Sequence, residues 1–449
     1  MKTINELSPR EFVLTLVKQQ VQPALGCTEI GIVSLACAKA SSLLKTKLKS
    51  ARVTVSPYVF RNDSRVGVPR LGRCGMKVIA AAGLILKNPL KLLNCLDDLT
   101  VETIAASKKL GAHDNKTIAI DVDYSSHPVY TRCQATDTKG NEADVIIQYS
   151  HDNIIQAKLN GKETLDPSQI KGEVGGEDFD FDARVDQLTI QKVFEVCQKL
   201  KKEEVEFLKD GIEMNDKVVK EGYKNPDPNS LSNVFIKLAR TGKECYGFGG
   251  KKSWTTKVLA AVCYAVDARM YGCPLPVMTS SRSGDHGLTV SIPQQIHAQE
   301  FKVKELTFLR ACMFAHFVTW KIKSKVGHLC GMCGSVVGAG AGTIAGLAFQ
   351  RGWEWSKVND LINMYLVSAS GIICDGAKPS CSFKILSALS AGFLCMAMAD
   401  NGGKLEHKDG IVHRNVEETI SNLGKYSKTT QDSIIVNVVD LLNAMQKLQ

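Results

Sequence analysis

The sequence lacks the features of several protein classes. Aromatic residues make up only 6% of its 449 residues, and its 56 Lys and Arg residues are dispersed among 46 Asp and Glu residues. Nucleic-acid binding needs a compact basic patch, often with aromatic side chains between the basic ones. The net charge of +10 is therefore interpreted as a solvated surface, and we expect no nucleic-acid partner.

The sequence also lacks a recognisable secretory signal. Its first twenty residues, MKTINELSPREFVLTLVKQQ, contain neither a long apolar run nor a small-residue cleavage site. Fifteen cysteines, an odd number scattered through apolar segments, are typical of a reducing compartment. The apolar segment that starts at Leu329 is rich in glycine and poor in large aliphatic residues, which favours a packed core over a membrane span. We expect a cytoplasmic protein with no membrane partner.

The local patterns predict an α+β fold. Residues 51–60 and four short alternating runs in residues 116–158 are typical of strands, and residues 76–86 are typical of a helix. The glycine-rich residues 65–75 join the first strand to this helix. We expect a strand-containing first region, some of whose helices pack on the C-terminal domain.

Two helices are predicted before the first strand. Ser8 is a candidate N-cap, with Pro9 at the first helical position. Thr28 is a candidate cap of the second helix, which places Cys27 at or just before its start. A helix N-terminus lowers the pKa of a thiol and favours its thiolate.

The second half of the chain is predicted to be helical. Residues 171–186 are acidic and weakly periodic, which predicts a linker or surface loop. From about residue 185 onward, long Ala/Gly/Leu segments predict core helices. We therefore expect an α+β region over residues 1–183 and an all-helical domain with Ala/Gly-rich core helices over residues 184–449.

Two cysteine pairs in this helical half are candidates for metal binding. Cys330 and Cys333 form a C-x-x-C pair, and Cys374 and Cys381 flank the loop DGAKPS. Four thiolates suit tetrahedral zinc, and three suit an iron–sulfur cluster with one iron left open. Spacing alone leaves zinc, a cluster and plain packing as alternatives.

A polar turn in residues 279–286 is a candidate for anion binding. Backbone N–H groups and hydroxyls of such a turn bind small carboxylates or phosphates, and an adjacent acid and histidine suit proton transfer or metal binding. An ordinary polar turn is the alternative interpretation. The candidate residues are Thr279, Ser280, Ser283, Gly284, Asp285 and His286.

Together, PALGCTE (23–29), DARMYGCPLPVM with SGDHG (267–287) and CDGAKPSC (374–381) resemble the L-cysteine desulfidase family, which is related to the alpha region of iron–sulfur L-serine dehydratases. The resemblance runs in order over nearly the whole chain, and CDGAKPSC is its most specific part. It implies an enzyme that converts L-cysteine and water to pyruvate, ammonia and sulfide without pyridoxal phosphate.

The resemblance also implies a cofactor and a set of functional residues. A 4Fe-4S cluster would be held by Cys374, Cys381 and a third cysteine, with Cys333 favoured and Cys330 as the alternative. Cys27 would be the base or proton carrier, and Glu29 would orient it. The turn at residues 279–286 would hold the carboxylate of the amino acid. We expect a homodimer, given the size of the chain and its glycine-packed core.

Two other functions compete with desulfidation. One is a serine dehydratase-like elimination on another β-substituted amino acid, and the other is a catalytically degenerate relative that binds a metal or ligand. The chain departs from the family pattern at Ile30, Arg70, Leu71 and Arg282. Arg282, together with Arg73, would suit a larger and more acidic substrate.

Overall fold

The computed structural model describes residues 3–24, 28–63, 66–149, 151–165, 177–241 and 253–447. Cys27 lies outside these residues, as does the side chain of Glu29. The fold is α+β, with strands concentrated in the first region and helices dominating the second. The predicted fold class is confirmed.

The first region is built on a six-stranded sheet. In spatial order its strands are β5 (Ile118–Val122), β2 (Leu48–Val55), β6 (Tyr130–Asp137), β7 (Glu142–Gln148), β8 (Ile154–Leu159) and β9 (Lys162–Glu163). Its pairs are antiparallel except β2 with β5. Alternate residues of β7, such as Val145 and Ile147, are buried while their neighbours are more exposed.

Two helices, α2 (Thr28–Leu43) and α4 (Met76–Leu86), pack on this sheet. They also pack closely on each other, since a Cβ on Gly83 would lie 2.3 Å from the carbonyl oxygen of Ser34. The region further contains the helices α3 (Pro57–Asp63) and α5 (Val101–Leu110) and the short strands β1 (Pro23–Ala24), β3 (Val66–Val68) and β4 (Gly72–Cys74).

The second region is a helical body. Its elements are α6 (Glu177–Asp186), α7 (Ile190–Gln198), α8 (Lys202–Val205), α9 (Leu208–Lys224), α10 (Leu231–Thr241), α11 (Trp254–Met270), β10 (Val277–Met278), α12 (Gly284–Glu300), α13 (Glu305–Val326), α14 (Ala341–Gln350), α15 (Trp355–Ala369), α16 (Cys381–Asp400) and α17 (Val416–Lys447). A π-helical stretch, Ser335–Gly340, leads into α14.

The two ends of the chain connect the regions. The first helix, α1 (Pro9–Gln20), begins at the predicted cap, where Ser8 and Glu11 form a capping box. It packs on α7 and α13, so it belongs to the helical core. The last helix, α17, contacts α3 and buries Ile435 and Val439 in the core of the sheet region.

Two local predictions are wrong. Residues 57–60, predicted as strand, begin α3, because Ser56 caps a helix whose first residue is Pro57. Residues 177–186, predicted as part of a loop, form α6. Its apolar residues Phe181 and Val185 lie one turn apart and are buried, and tertiary packing outweighs the acidic composition there.

Among the residues described, one helix, Cys381–Asp400, is long and apolar enough to cross a membrane by length and composition. It is a different segment from the glycine-rich one at Leu329. Part of its surface is buried against the rest of the protein.

Candidate active site

A cavity of about 430 Å³ opens where the two regions meet. The sheet region contributes residues of α3 and of loops beside the strands, and the helical region contributes helix ends and cysteine loops. All four candidate cysteines line it, as do four of the six residues predicted in the polar turn. These are Cys330, Cys333, Cys374 and Cys381, with Ser283, Gly284, Asp285 and His286.

Backbone pairing brings the cysteine loops together. The Cys333 amide donates to the Ile372 carbonyl at 2.9 Å, and the Cys374 amide donates to the Gly331 carbonyl at 2.8 Å. These bonds form a short antiparallel bridge between segments about forty residues apart. The bridge places Cys333 and Cys374 at the same wall of the cavity.

The loop between Cys374 and Cys381 turns against α3. Gly376 has φ = +102°, and a Cβ there would lie 2.0 Å from the Arg61 carbonyl oxygen, so only glycine fits. The loop ends at Cys381, the first residue of α16, whose Sγ lies 3.5 Å from the Lys378 amide. The loop therefore leaves the cavity at Cys374 and returns to it at Cys381.

Arg61 connects this arrangement to the sheet region. Its Nη1 donates to the Cys330 carbonyl at 2.9 Å and to the Cys374 carbonyl at 3.3 Å. The side chain is only 2% exposed. Arg61 was not among the residues predicted from the sequence, although a charged RND run directly after the apolar PYVF was a signal for a buried polar role.

Three of the four thiols lie within electrostatic reach of one another. Burial raises the pKa of Cys333 to about 12, and nearby Cys374 contributes to the increase. Burial also raises the pKa of Cys381 well above its ordinary value, with smaller contributions from Asp285, Cys333 and Cys374. Cys330 differs, since its Sγ donates to the Met332 carbonyl at 3.2 Å and lies 3.5 Å from Lys323 Nζ.

The cavity has the ligand type that an iron–sulfur cluster uses. Cys333, Cys374 and Cys381 line it together, and cysteine thiolates are the ligands of such clusters. In the part of the chain that the structure describes, no group of three or more His, Cys, Asp or Glu residues is placed to hold a single metal ion.

The polar turn divides into supporting and cavity-lining residues. Thr279 Oγ1 donates to the Gln20 carbonyl at 2.9 Å, and Ser280 Oγ lies 2.8 Å from His316 Nδ1. Neither residue is among the described residues that line the cavity. Both hold the turn in place through contacts with α1 and α13.

Ser281, which belongs to the same predicted turn, lines the cavity instead. It has φ = +44° and the next residue, Arg282, has φ = +64°, so the turn passes through the left-handed region twice. The Ser281 hydroxyl is buried and has no hydrogen-bond partner among the described residues.

The start of α12 carries the charged residues of the turn. Arg269 Nη1 lies 2.7 Å from Asp285 Oδ1, and both side chains are 9% exposed. A Cβ on Gly284 would lie 2.7 Å from Arg269 Nε, so glycine gives the arginine room to approach. Ser283 is the N-cap of α12 and makes no side-chain cap hydrogen bond, so its hydroxyl does not satisfy the amide groups of the first turn.

His286 is neutral at physiological pH. Burial, and next to it the charge of Lys323, lower its pKa to about 3. Its Nδ1 has no hydrogen-bond partner within the described residues. The neutral ring can therefore donate or accept a hydrogen bond without carrying charge.

The segment before Cys27 leads to this cavity. The strand β1 pairs with β10, directly before the polar turn, and Ala24 lines the cavity. The helix α2 begins at Thr28, within one residue of the start that a cap at Thr28 predicts. Cys27, between Ala24 and Thr28, lies outside the described residues.

The departures from the expected pattern fall in different places. Ile30 and Leu71 are buried core residues, and Arg70 is exposed with its Nη1 donating to the Asp97 carbonyl at 2.7 Å. Arg282 does line the cavity, with its guanidinium 5.8 Å from the Trp320 ring centroid. Of these four departures, Arg282 is the one that reaches the cavity.

The chain is similar to a known enzyme family. Residues 96–434 match the family model described as the serine dehydratase alpha chain. A UPF0597 protein of Clostridioides difficile is 31% identical over 442 residues, which is 96% of this chain and 99% of the relative. UPF0597 proteins of Clostridium botulinum and Porphyromonas gingivalis are 29% and 28% identical over 428 and 439 residues, covering 95% and 97% of this chain and 96% and 99% of the relatives.

Proposed function

Because this chain belongs to the serine dehydratase alpha-chain family, we propose that it is a carbon–sulfur lyase, an L-cysteine desulfidase that converts L-cysteine and water to pyruvate, ammonia and hydrogen sulfide. The observation that carries the proposal is the convergence of Cys333, Cys374 and Cys381 with the start of α12 around one cavity. The cavity therefore combines a cluster-type donor set with an anion-binding helix start.

The proposed cofactor is a 4Fe-4S cluster. Cys333, Cys374 and Cys381 would hold it, and the contacts of the Cys330 thiol with Met332 and Lys323 support the choice of Cys333 over Cys330. When bound, the cluster would supply a Lewis-acidic iron for the sulfur of the substrate. The raised pKa values of Cys333 and Cys381 mean that both thiols lose their protons only when a cation compensates the thiolates.

The polar turn would bind the amino-acid carboxylate. The amides at the start of α12, from Gly284 onward, and the hydroxyls of Ser281 and Ser283 provide donors around a partial positive charge. Thr279 and Ser280 would act indirectly by holding the turn. The ion pair with Arg269 fixes the orientation of Asp285, and neutral His286 would offer a further hydrogen bond.

Cys27 is the proposed base that takes the α-proton, and Glu29 the residue that orients it. The β1–β10 pairing supports this assignment, because it brings the chain just before Cys27 to the wall of the cavity. Elimination would then release sulfide and leave aminoacrylate, which water hydrolyses to pyruvate and ammonia. Cys27→Ser should abolish turnover and keep the brown colour of the cluster; loss of the colour as well would contradict the assignment.

Anaerobic purification tests the whole proposal. Iron and acid-labile sulfide are measured on the protein, and sulfide and pyruvate are measured on L-cysteine in the same sample. About four irons and four sulfides per chain with equal amounts of both products are expected for a 4Fe-4S lyase. Zinc in place of iron, or a full cluster without turnover, would contradict the proposed cofactor or the proposed substrate respectively.

Arg282 supports a second candidate, elimination on a β-substituted amino acid with an additional acidic group. A guanidinium at the cavity wall would pair with that group. L-serine is the simpler alternative, since it undergoes the same elimination with water leaving. Pyruvate release from serine without sulfide release from cysteine would favour a dehydratase, and a cluster with no lyase activity on any such amino acid would favour a degenerate relative.

The remaining partners are also proposals. We propose that the protein acts in the cytoplasm as a homodimer on a small amino acid, with no nucleic-acid or membrane partner. Sedimentation analysis of the anaerobic protein would test the dimer. A monomeric mass with full activity would exclude it as a functional unit.

A further inference from the structure

A second cavity, of about 200 Å³, lies between α9, α10 and the end of α11. It shares no lining residue with the cysteine cavity among the residues described. Three carboxylates line it, those of Glu221, Asp227 and Asp267, and the described lining contains no Lys, Arg or His. The proposed lyase chemistry gives none of these three residues a role.

Asp267 is the most deeply buried of the three carboxylates, at 3% exposure. Its Oδ2 accepts hydrogen bonds from the Ser232 amide at 2.8 Å and the Ser232 hydroxyl at 2.7 Å, so this oxygen caps the start of α10. Its Oδ1 is buried and has no hydrogen-bond partner in the described part of the chain. A buried carboxylate oxygen without a donor is costly unless something else compensates its charge.

The described lining of the cavity supplies no positively charged side chain to compensate it. Glu221 accepts a hydrogen bond from the Asn225 side-chain amide at 2.7 Å, and Asp227 accepts one from the Asn229 backbone amide at 2.9 Å. Both partners are neutral donors, so the negative charge of the cavity persists. That charge also reaches Cys273, whose pKa is raised by burial and by Glu221.

We propose that this cavity binds a hydrated divalent cation of the Mg²⁺ class, with Asp267 Oδ1 as its direct protein ligand and Glu221 and Asp227 contacting it through water. Mg²⁺ typically keeps several waters and takes only one or two protein carboxylates. A cavity of this size accommodates such waters. Such an ion does not need three close protein ligands, and the described residues contain no group of that kind.

The position of the cavity gives the cation a structural consequence. Asp267 and Arg269 lie two residues apart on α11, and Arg269 pairs with Asp285 in the cysteine cavity. At the cation cavity, α9 packs closely on α11, since a Cβ on Gly222 would lie 2.0 Å from the Tyr264 carbonyl oxygen. A bound cation would hold α9, α10 and the end of α11 together. It would thereby stabilise α11, the helix that carries Arg269.

Mn²⁺ titration of the anaerobically purified full chain tests the site directly. The electron paramagnetic resonance signal of free Mn²⁺ falls when the ion binds, and this measurement does not depend on lyase activity. One saturable site that Mg²⁺ displaces is expected. In Asp267→Asn binding should weaken about tenfold or more, a factor equal to about 1.4 kcal/mol.

The Asn variant separates the two roles of Asp267. Asparagine keeps an oxygen acceptor for Ser232, so the cap of α10 is retained while the charge is removed. The double variant Glu221→Gln, Asp227→Asn removes the outer carboxylates without touching the cap and should also weaken binding. Glu213→Gln, an exposed residue of α9 that pairs with Lys217, is the matched control and should bind Mn²⁺ as the wild type does.

Thermal unfolding provides a second readout. MgCl₂ should raise the melting temperature of the wild type more than NaCl of equal ionic strength, and Asp267→Asn should lose that difference. No saturable Mn²⁺ binding in the wild type would overturn the proposal. Equal binding in the wild type, Asp267→Asn and the double variant would also overturn it, because the ion would then lie elsewhere.

Discussion

The sheet of the first region and the helices of the second differ in where many of their polar side chains lie. On the sheet, polar residues such as Arg132 and Asp144 pair on the partly exposed face, while the opposite side chains form the core. In the helical region, whole helices are buried, and so are polar residues of α13 such as His316 and Lys323. Burying a polar group is costly, so it is expected where structure or function requires it.

The candidate active site reflects this difference. The helical region provides the cysteines and the start of α12, which are helix ends and loops with buried polar groups. The sheet region contributes Arg61 of α3 and loop residues such as His127 to the lining of the site. None of the described lining residues lies on the strands of its six-stranded sheet. Substitutions in the buried contacts should therefore have large effects, and similar substitutions on the sheet surface small ones.

The largest effect is expected from Cys381→Ala. Because Cys381 is a proposed cluster ligand at the start of α16, its removal should abolish iron binding and turnover. Iron analysis and the visible absorption spectrum measure the loss. Cys395→Ala, on the same helix but outside the described cavity lining, is the control and should keep full iron; equal loss in both variants would contradict a specific ligand role.

Gly376→Ala should be the next most damaging change. The new Cβ would meet the Arg61 carbonyl at 2.0 Å in a backbone with φ = +102°, so the loop must move away from α3. We expect a loss of about 3 kcal/mol in the free energy of unfolding and reduced iron content. Denaturant titration measures the free energy of unfolding, and iron analysis measures the iron content. The control is Gly371→Ala, which should change neither quantity because a Cβ at Gly371 meets nothing within 4 Å.

Arg61→Met tests the contact between the regions. It leaves the Cys330 and Cys374 carbonyls without their buried donor, so we expect a cost of about 2–3 kcal/mol in the free energy of unfolding. Arg52→Met is the matched control on the sheet surface. Arg52 pairs with Asp121, but its side chain is 60% exposed, so its loss should cost under about 1 kcal/mol. Similar costs for both variants would remove the distinction drawn between the regions.

His316 should make the helical region sensitive to acid. Burial lowers its pKa from 6.5 to about 4, so between these values the unfolded chain binds a proton that the folded protein excludes. Stability should be fully present above pH 6.5 and fall as the pH drops toward 4, by at most about 3 kcal/mol from this group. Denaturant titrations across this range should show a flatter pH profile in His316→Asn, and an unchanged profile would exclude His316 as a source.

Much of the local structure could be predicted from the sequence. The helix over residues 76–86, the cap at Ser8, the helix start at Thr28 and the four runs within residues 116–158 all appear in the structure. These features depend on short-range chemistry, such as alternation, capping and the glycine and proline preferences of turns. The same kind of signal is present at residues 57–60. Ser56 followed by Pro57 is a helix start, and it determines α3 there in spite of the β-branched pattern before it.

The composition of the candidate site could be predicted from the sequence in the same way, but its geometry could not. Motifs and spacing pointed to the cysteines and the polar turn, and the structure places most of these residues at one cavity. Only the tertiary structure decided that Arg61 joins the two cysteine loops, that Ser281 faces the cavity where Thr279 and Ser280 do not, and that Asp267 keeps one buried oxygen without a donor among the described residues. The reason is physical: a local pattern determines how neighbouring residues fold, whereas these relations depend on contacts between segments far apart in the chain, such as the bond from the Cys333 amide to the Ile372 carbonyl.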